Sequence, residues 1–304
     1  MAVIIGDIHG DLVAVKAFLA YRAAKAHIVL GDLVDSRADI SYEEELACLE
    51  FLLASDSLFI WGNHDLAYLP ERPWKPYGRY GEAVFRNIYH QHRHRFSAAL
   101  AIDGWLLTHA GVAPQLAKIM PPEITRGGVE SVAVWLNQEF EKQLQIPVPG
   151  IMRGTRYGHG QLFQIAICRG GQDHYGGIFW FDESGEQSQP APAWPQIFGH
   201  TPVPRPQRRK GWIIRDGKMA DGAPWINLNA EAGIWVYDTD TDEIVEIRCR
   251  RRFMKDCRNK DVINAVRKKA KKLSLTPEDV EEAVEWARRG ERTGKSLIEA
   301  LKSS

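Results

Sequence analysis

The sequence predicts an α/β fold built on a parallel sheet, because apolar runs alternate with segments of helical period and each run ends abruptly on a short polar cluster. Taken in order, "AVIIGD" is a β-branched run, "DLVAVKAFLAYRAAKA" has helical spacing, and "HIVLGD" is apolar again. "SYEEELACLEFLLAS" is helical and "SLFIWGNHD" is a third apolar run. That β-α-β-α-β order implies parallel strands with helices on the faces of the sheet. "GWLLTHAG" and "PQIFGHTP" repeat the apolar run with a polar ending, and "GVESVAVWLNQEFEKQLQ" between them reads as a helix. Residues 147–196, rich in Gly, Pro and Gln, are long for a structureless connection and are expected to form a cap or rim. "PWINLNA" and "GIWVYDTDTDEIVEIRCR" follow as a strand and a hairpin. From about residue 258 the period is helical, with Thr276, Pro277 and Asp279 resembling an N-cap, an N1 proline and a first-turn acid.

A chain of 304 residues can bury a sizeable core. Lys plus Arg and Asp plus Glu both number 39, so bulk charge announces no polyanionic partner. The balance is uneven, however: residues 248–272 are strongly basic and the "TPEDVEEAVE" beyond them is acidic. Such blocks suit a solvated amphipathic helix, with a nucleic-acid contact as the alternative. No apolar run approaches the ~18 residues of a membrane span, and Met1 leads straight into a strand without the pattern of a secretory signal. A cytoplasmic protein with no membrane partner is therefore expected. Cys48, Cys168, Cys249 and Cys257 are scattered without a C-x-x-C pair, so neither a zinc ribbon nor a disulfide framework is suggested, and buried or idle thiols are expected.

The polar endings hold the chemistry. They collect Asp7, His9, Asp32, Asp35, Asn63, His64, Asp65, His109 and His200. In open α/β sheets the functional crevice lies beyond the carboxyl ends of the strands, so separate segments deliver these side chains to one place. Carboxylate, amide and imidazole donors without a thiolate suit Mn²⁺, Fe or Zn²⁺. The inventory exceeds one ion's needs and fits a pair ~3.5–4 Å apart that shares a carboxylate.

The run GD-I-HG, GD-LV-D, GNHD, THAG and GHT resembles the calcineurin-like metallophosphoesterase superfamily, and GHT followed by Pro202 is similar to its branch of serine/threonine protein phosphatases and symmetrical diadenosine tetraphosphatases. On its charge blocks and period the tail over 251–304, which lies outside the resemblance, is expected to be a basic, then acidic, helical extension; the resemblance covers about residues 1–250 and implies a catalytic domain there. It implies a four-layer α/β/β/α sandwich and two divalent ions, Mn²⁺ expected first. Asp7 and His9 would bind the first metal, Asp32 would bridge, and Asn63, His109 and His200 would complete the second. His64, held by Asp35, would protonate the leaving group of a phosphoester attacked by metal-activated water, a role that suits an imidazole near pH 7.

Some positions depart from the family pattern. "GDLVDSRAD" has Ser36 where the protein phosphatases carry a phosphate-gripping arginine, and "IFWFDES" has Asp182 where many relatives place an arginine after a Trp. Arg37, Arg153 and Arg156 are the candidates to hold the phosphate instead. "INLNAEAG" has Asn229 and Ala230 in a strand that usually reads I-D-T-G, a position expected to be mostly structural. A phosphomonoesterase acting on protein or small molecules is the first reading. Cleavage of dinucleoside polyphosphates or nucleic-acid ends, the latter helped by the basic segment, is the second, and a metal-binding scaffold with little turnover the third.

Other signals carry less. "GERTGKS" at 290–296 is one residue short of a phosphate loop and follows a helix instead of a strand. His90, His92 and His94 alternate as ligands on a strand face would, but no carboxylate accompanies them, so a half-exposed segment is preferred. Trp180, Trp194, Trp212, Trp225 and Trp235 are expected in the core or rim, with one or two free to stack on a base.

Overall fold

The computed structural model describes residues 1–36, 40–71, 82–146 and 160–247. Arg37, Arg153, Arg156, the basic segment 248–272 and the expected helical extension 251–304 lie outside the described residues.

The alternation at the N-terminus folds as its pattern dictates. β1 (Ala2–Ile5), α1 (Leu12–Ala20), β2 (Ala26–Val29), α2 (Tyr42–Leu53) and β3 (Leu58–Ile60) follow one another, and α2 begins with a complete capping box between Ser41 and Glu44. The short α3 (Asn63–Leu66) opens directly after β3, and α4 (Glu82–His92) leads to β4 (Phe96–Ser97). β1 to β4 are parallel, because each crosses over through a helix. The hairpin of β10 (Trp235–Asp238) and β11 (Glu243–Glu246) closes the sheet antiparallel to β1, giving the order β11-β10-β1-β2-β3-β4.

A second sheet is ordered β5-β6-β7-β9-β8. Its strands are β5 (Leu100–Ile102), β6 (Trp105–Leu107), β7 (Gln196–Phe198), β8 (Gln207–Arg215) and β9 (Lys218–Asn227). Between β6 and β7 the chain forms α5 (Pro114–Ile119), α6 (Pro122–Arg126) and α7 (Gly128–Leu144). Alternation along the strands decides what each face meets. Ile4, Ile28, Ile60 and Tyr237 of the first sheet pack on Leu107, Ile197 and Ile226 of the second, forming a dry interlayer core. Val3, Ile5, Val29 and Phe59 point the other way and join Phe18, Leu49 and Leu52 of α1 and α2. α7 lies against β5 and β6, and helices thus flank a sandwich of two mixed sheets.

His90 and His92 end α4 and His94 follows in a 3-10 turn; all three are exposed or half-buried, as the preferred reading has it, and their two-residue spacing spreads them around a helix instead of along a strand face. β8 is an additional strand: "QRRKGWIIR" is largely exposed at the sheet edge and carries little of the apolar alternation by which strands are recognised. Of the described thiols, Cys48 is buried as expected and Cys168 is exposed. Among the described residues no helix is long and apolar enough to cross a membrane.

Candidate metal centre

The loops that follow β1, β2, β3, β6 and β7 meet at one end of the sandwich, and backbone hydrogen bonds tie them together before any side chain is considered. The amides of Ile8 and His9 both donate to the Asp32 carbonyl, at 3.1 and 2.8 Å, and Gly199 N–H donates to the His109 carbonyl at 2.7 Å. The loops after β2 and β3 approach backbone to backbone. A Cβ on Gly62 would lie 2.2 Å from the Asp32 amide nitrogen, and one on Gly31 would lie 2.5 Å from that of Gly62. Glycine in "GD" and "GN" is therefore a packing requirement.

Asp65 secures that approach. Its carboxylate accepts from the amides of Asp32 (2.8 Å), Leu33 (2.9 Å) and Gly62 (2.9 Å) and from the Tyr89 hydroxyl (2.5 Å). The chain also turns sharply where the metal-capable side chains leave it. His9, Asp32, Asp35 and His200 have φ of 46°, 51°, 65° and 66°, the left-handed region that non-glycine residues avoid.

These turns bring the expected donors together. Two groups of side chains have ligand atoms within 4.8 Å of one another, His9 with Asp32 and His64, and Asp32 with His109 and His200. Asp32 belongs to both. Its Oδ2 lies 3.4 Å from His109 Nε2, 3.8 Å from His9 Nε2 and 4.0 Å from His64 Nε2. Asn63 Oδ1 faces His109 Nε2 and His200 Nδ1, each at 2.9 Å. Asp7 Oδ2 is 3.9 Å from His9 Nε2, and its Oδ1 accepts from the His200 amide at 3.0 Å. His64 Nδ1 contacts Asp35 Oδ2 at 3.2 Å, and Tyr68 donates to the other oxygen of that carboxylate at 2.5 Å. Every one of these donors is buried or nearly so except His9, 32% exposed, which marks the open side.

Electrostatics describe a site short of positive charge. Burial opposes the Asp32 charge, yet His109, His64 and His9 hold its carboxyl well below the usual range. Burial and Asp32 push Asp65 up to about 6. Against its own burial, His109 is pushed up to about 9 by Asp32 and Asp7, and His64 is raised by Asp32 and Asp35. His200 goes the other way: burial, His109 and Arg169 hold it well below the usual histidine range, and its buried Nε2 has no hydrogen-bond partner. A neutral imidazole with a free nitrogen, set among oxygen and nitrogen donors that crowd one carboxylate, is a donor set that fits divalent cations.

Three contacts around this centre escape sequence reasoning. Asn229 is not merely structural, since its amide donates to Asp7 Oδ2 at 2.6 Å. Trp180 packs edge-on against His200 with ring centroids 5.4 Å apart. Asp182, standing where an arginine was expected, itself holds one: Arg169 Nε is 2.7 Å from Asp182 Oδ2, and Arg169 Nη2 donates to Thr201 Oγ1 at 2.9 Å, next to His200. The acid in an arginine's place was the available signal. The sequence candidates Arg37, Arg153 and Arg156 lie outside the described residues.

No curated protein matches the chain. Among solved structures, a cold-active protein-tyrosine phosphatase of the psychrophile Shewanella sp. is 12% identical, with 81% of this chain and 80% of that chain covered and a TM-score of 0.37. A protein serine/threonine phosphatase from Saccharomyces cerevisiae with similarity to human phosphatase PP5 is 20% identical over 36% of this chain and 38% of that chain, with a TM-score of 0.27. The family model for calcineurin-like phosphoesterases matches residues 2–217, which spans both sheets up to the β8–β9 turn and every donor of the centre except Asn229. With two His/Asp/His clusters sharing one carboxylate inside that match, the chain belongs to the calcineurin-like phosphoesterase family.

Proposed function

We propose that the protein is a phosphomonoesterase of this family that uses two divalent ions, Mn²⁺ foremost. The observation that carries the reading is Asp32 Oδ2, a single carboxylate oxygen with imidazole nitrogens of both clusters within 4.0 Å. Asp32 would be shared by the two ions, Asp7 and His9 would hold one, and Asn63, His109 and His200 would hold the other. The ions, when bound, supply a water nucleophile near neutral pH and draw charge from the phosphoryl oxygens.

The chain's own residues do the rest. His64 donates a proton from Nε2 to the leaving oxygen, because Asp35 fixes the other ring nitrogen and favours the charged imidazole. Tyr68 in turn orients Asp35. Arg169 grips the phosphoryl oxygens: a guanidinium has five N–H donors, and among the described residues its contacts are to Asp182 and Thr201. Trp180 shields His200 from water.

The test is turnover of the Mn²⁺-reconstituted full chain on p-nitrophenyl phosphate, a phosphoserine peptide, bis-p-nitrophenyl phosphate and diadenosine tetraphosphate, with His64→Ala alongside. Preference for the monoesters supports the reading, with His64→Ala losing most turnover on the peptide and less on p-nitrophenyl phosphate, whose leaving group needs little protonation. Preference for the diester or dinucleotide overturns the monoesterase assignment. Metal uptake without hydrolysis of any substrate leaves a scaffold.

A further inference from the structure

A cavity of about 490 Å³ lies beside the candidate centre, between residues 183–189 and the edge of the second sheet. Thr201, the residue after His200 and the one that Arg169 Nη2 contacts at 2.9 Å, lines it. Its floor is Trp225, with the Arg209 guanidinium 5.7 Å from the ring centroid, and Trp212 lines it while 48% exposed. A volume of this size lies in the range of small-molecule sites, about 300–1,000 Å³.

The roof is fastened at both ends. The Gln189 side-chain amide mimics a paired strand, accepting from Trp212 N–H at 2.9 Å and donating to the Trp212 carbonyl at 2.5 Å. Glu183 accepts from Asn227 Nδ2 at 2.8 Å, and Ala223 N–H donates to the Pro192 carbonyl at 2.9 Å. Gln187, which also lines the cavity, is held at φ 49°. Backbone strain in a segment tied down on either side is a mark of a preorganised site.

We propose that this cavity binds the nucleoside part of a nucleotide whose terminal phosphate sits at the metal centre. The inference deepens the phosphomonoesterase reading and rests on it. The chemistry favours a flat, donor-bearing group over a peptide side chain. Trp212 and the Arg209–Trp225 pair offer faces on which a base stacks, and such stacking tolerates any base. Thr201, which meets Arg169 and follows His200, lines the same cavity as the aromatic surfaces, so one ligand can reach from the centre to a stacked base.

The experiment uses the Mn²⁺-loaded full chain. Calorimetric binding of adenosine monophosphate is compared for wild type, Trp212→Ala and the exposed Arg209→Ala, and kcat/KM for adenosine monophosphate is divided by that for glycerol phosphate, which has no base. The expected result is about tenfold weaker nucleotide binding in each variant and a similar fall in the ratio. Equal nucleotide binding by wild type and both variants overturns the proposal, as does hydrolysis of glycerol phosphate by a wild type that does not bind the nucleotide. A phosphoserine peptide that loses as much as the nucleotide in both variants also overturns it, in favour of a peptide groove. Nucleotide binding that depends on Trp212 and Arg209 without hydrolysis of any ester supports the cavity and sinks the catalytic reading, so the two failures are distinct.

Discussion

Replacing Asp65 by Ala tests whether the centre is held by a buried carboxylate that touches no metal in the proposed scheme. The side chain is fully buried and accepts from the amides of Asp32, Leu33 and Gly62 and from the Tyr89 hydroxyl. Leaving four buried donors unsatisfied costs about 1–3 kcal/mol each, so roughly 4–12 kcal/mol in all. Removal also relieves the burial of a charge. With the Asp65 pKa raised from 3.8 to about 6, that relief is roughly 3 kcal/mol at neutral pH. Even the low end of the lost bonds exceeds it, and water entering the vacated space lowers the high end, so a net loss of about 1–5 kcal/mol is expected. Urea unfolding of the metal-free chain at pH 7, followed by tryptophan fluorescence, reads it as a lower midpoint with an unchanged m-value. Asp65→Asn retains one acceptor oxygen and is expected to lose less. A loss below about 1 kcal/mol for Asp65→Ala would refute the claim that these bonds hold the loops.

Other consequences follow from the same geometry. Asp32→Ala should abolish uptake of both ions, read by elemental analysis after dialysis, and two ions retained would remove Asp32 from the shared position. Gly62→Ala would put a Cβ 2.2 Å from the Asp32 side-chain Oδ1 and 2.2 Å from the Asp32 amide nitrogen, the latter backbone that cannot move aside, so a loss of about 1–3 kcal/mol is expected in a thermal melt. An unchanged melt would show the loops to be loosely packed. Metal affinity should rise with pH toward about 9, because an ion must displace the proton that Asp32 and Asp7 hold on His109. In the metal-free chain the same proton stabilises the fold fully below pH 6.5, and that contribution fades as pH rises through about 9. Calorimetry in buffers of different ionisation enthalpy counts the released proton, and no release at pH 7 would contradict the raised His109.

Legibility in the sequence followed chemical loudness and locality. Asp7, Asp32, Asn63, His109 and His200 each close an apolar run, so period and residue type pointed to the same place, and the structure brings them together. Asn229 gave no local cue, because it reaches Asp7 across 222 residues of chain and its bond exists only once both sheets are stacked. Arg169 lies in an irregular segment with no period, and its placement depends on Asp182, thirteen positions later, and on Thr201. β8 was missed for a physical reason: an edge strand is paired on one side only and can carry Arg208, Arg209 and Lys210 in solvent, which hides the alternation.

The left-handed turns at His9, Asp32, Asp35 and His200 explain why the loops are stitched so heavily. Each such residue costs about 1–2 kcal/mol relative to ordinary backbone, so a loop left to itself would relax and swing its side chain away. At His9, Asp32 and His200 a partner blocks the relaxation. The Asp32 carbonyl is held by Ile8 and His9 and its amide by Asp65, while the His200 amide is held by Asp7. Asp7 and Asp32 are therefore both candidate ligands and the anchors of other candidate ligands. Altering either changes an ion's coordination and the position of the neighbouring loop at once, so single substitutions in this centre should combine far from additively.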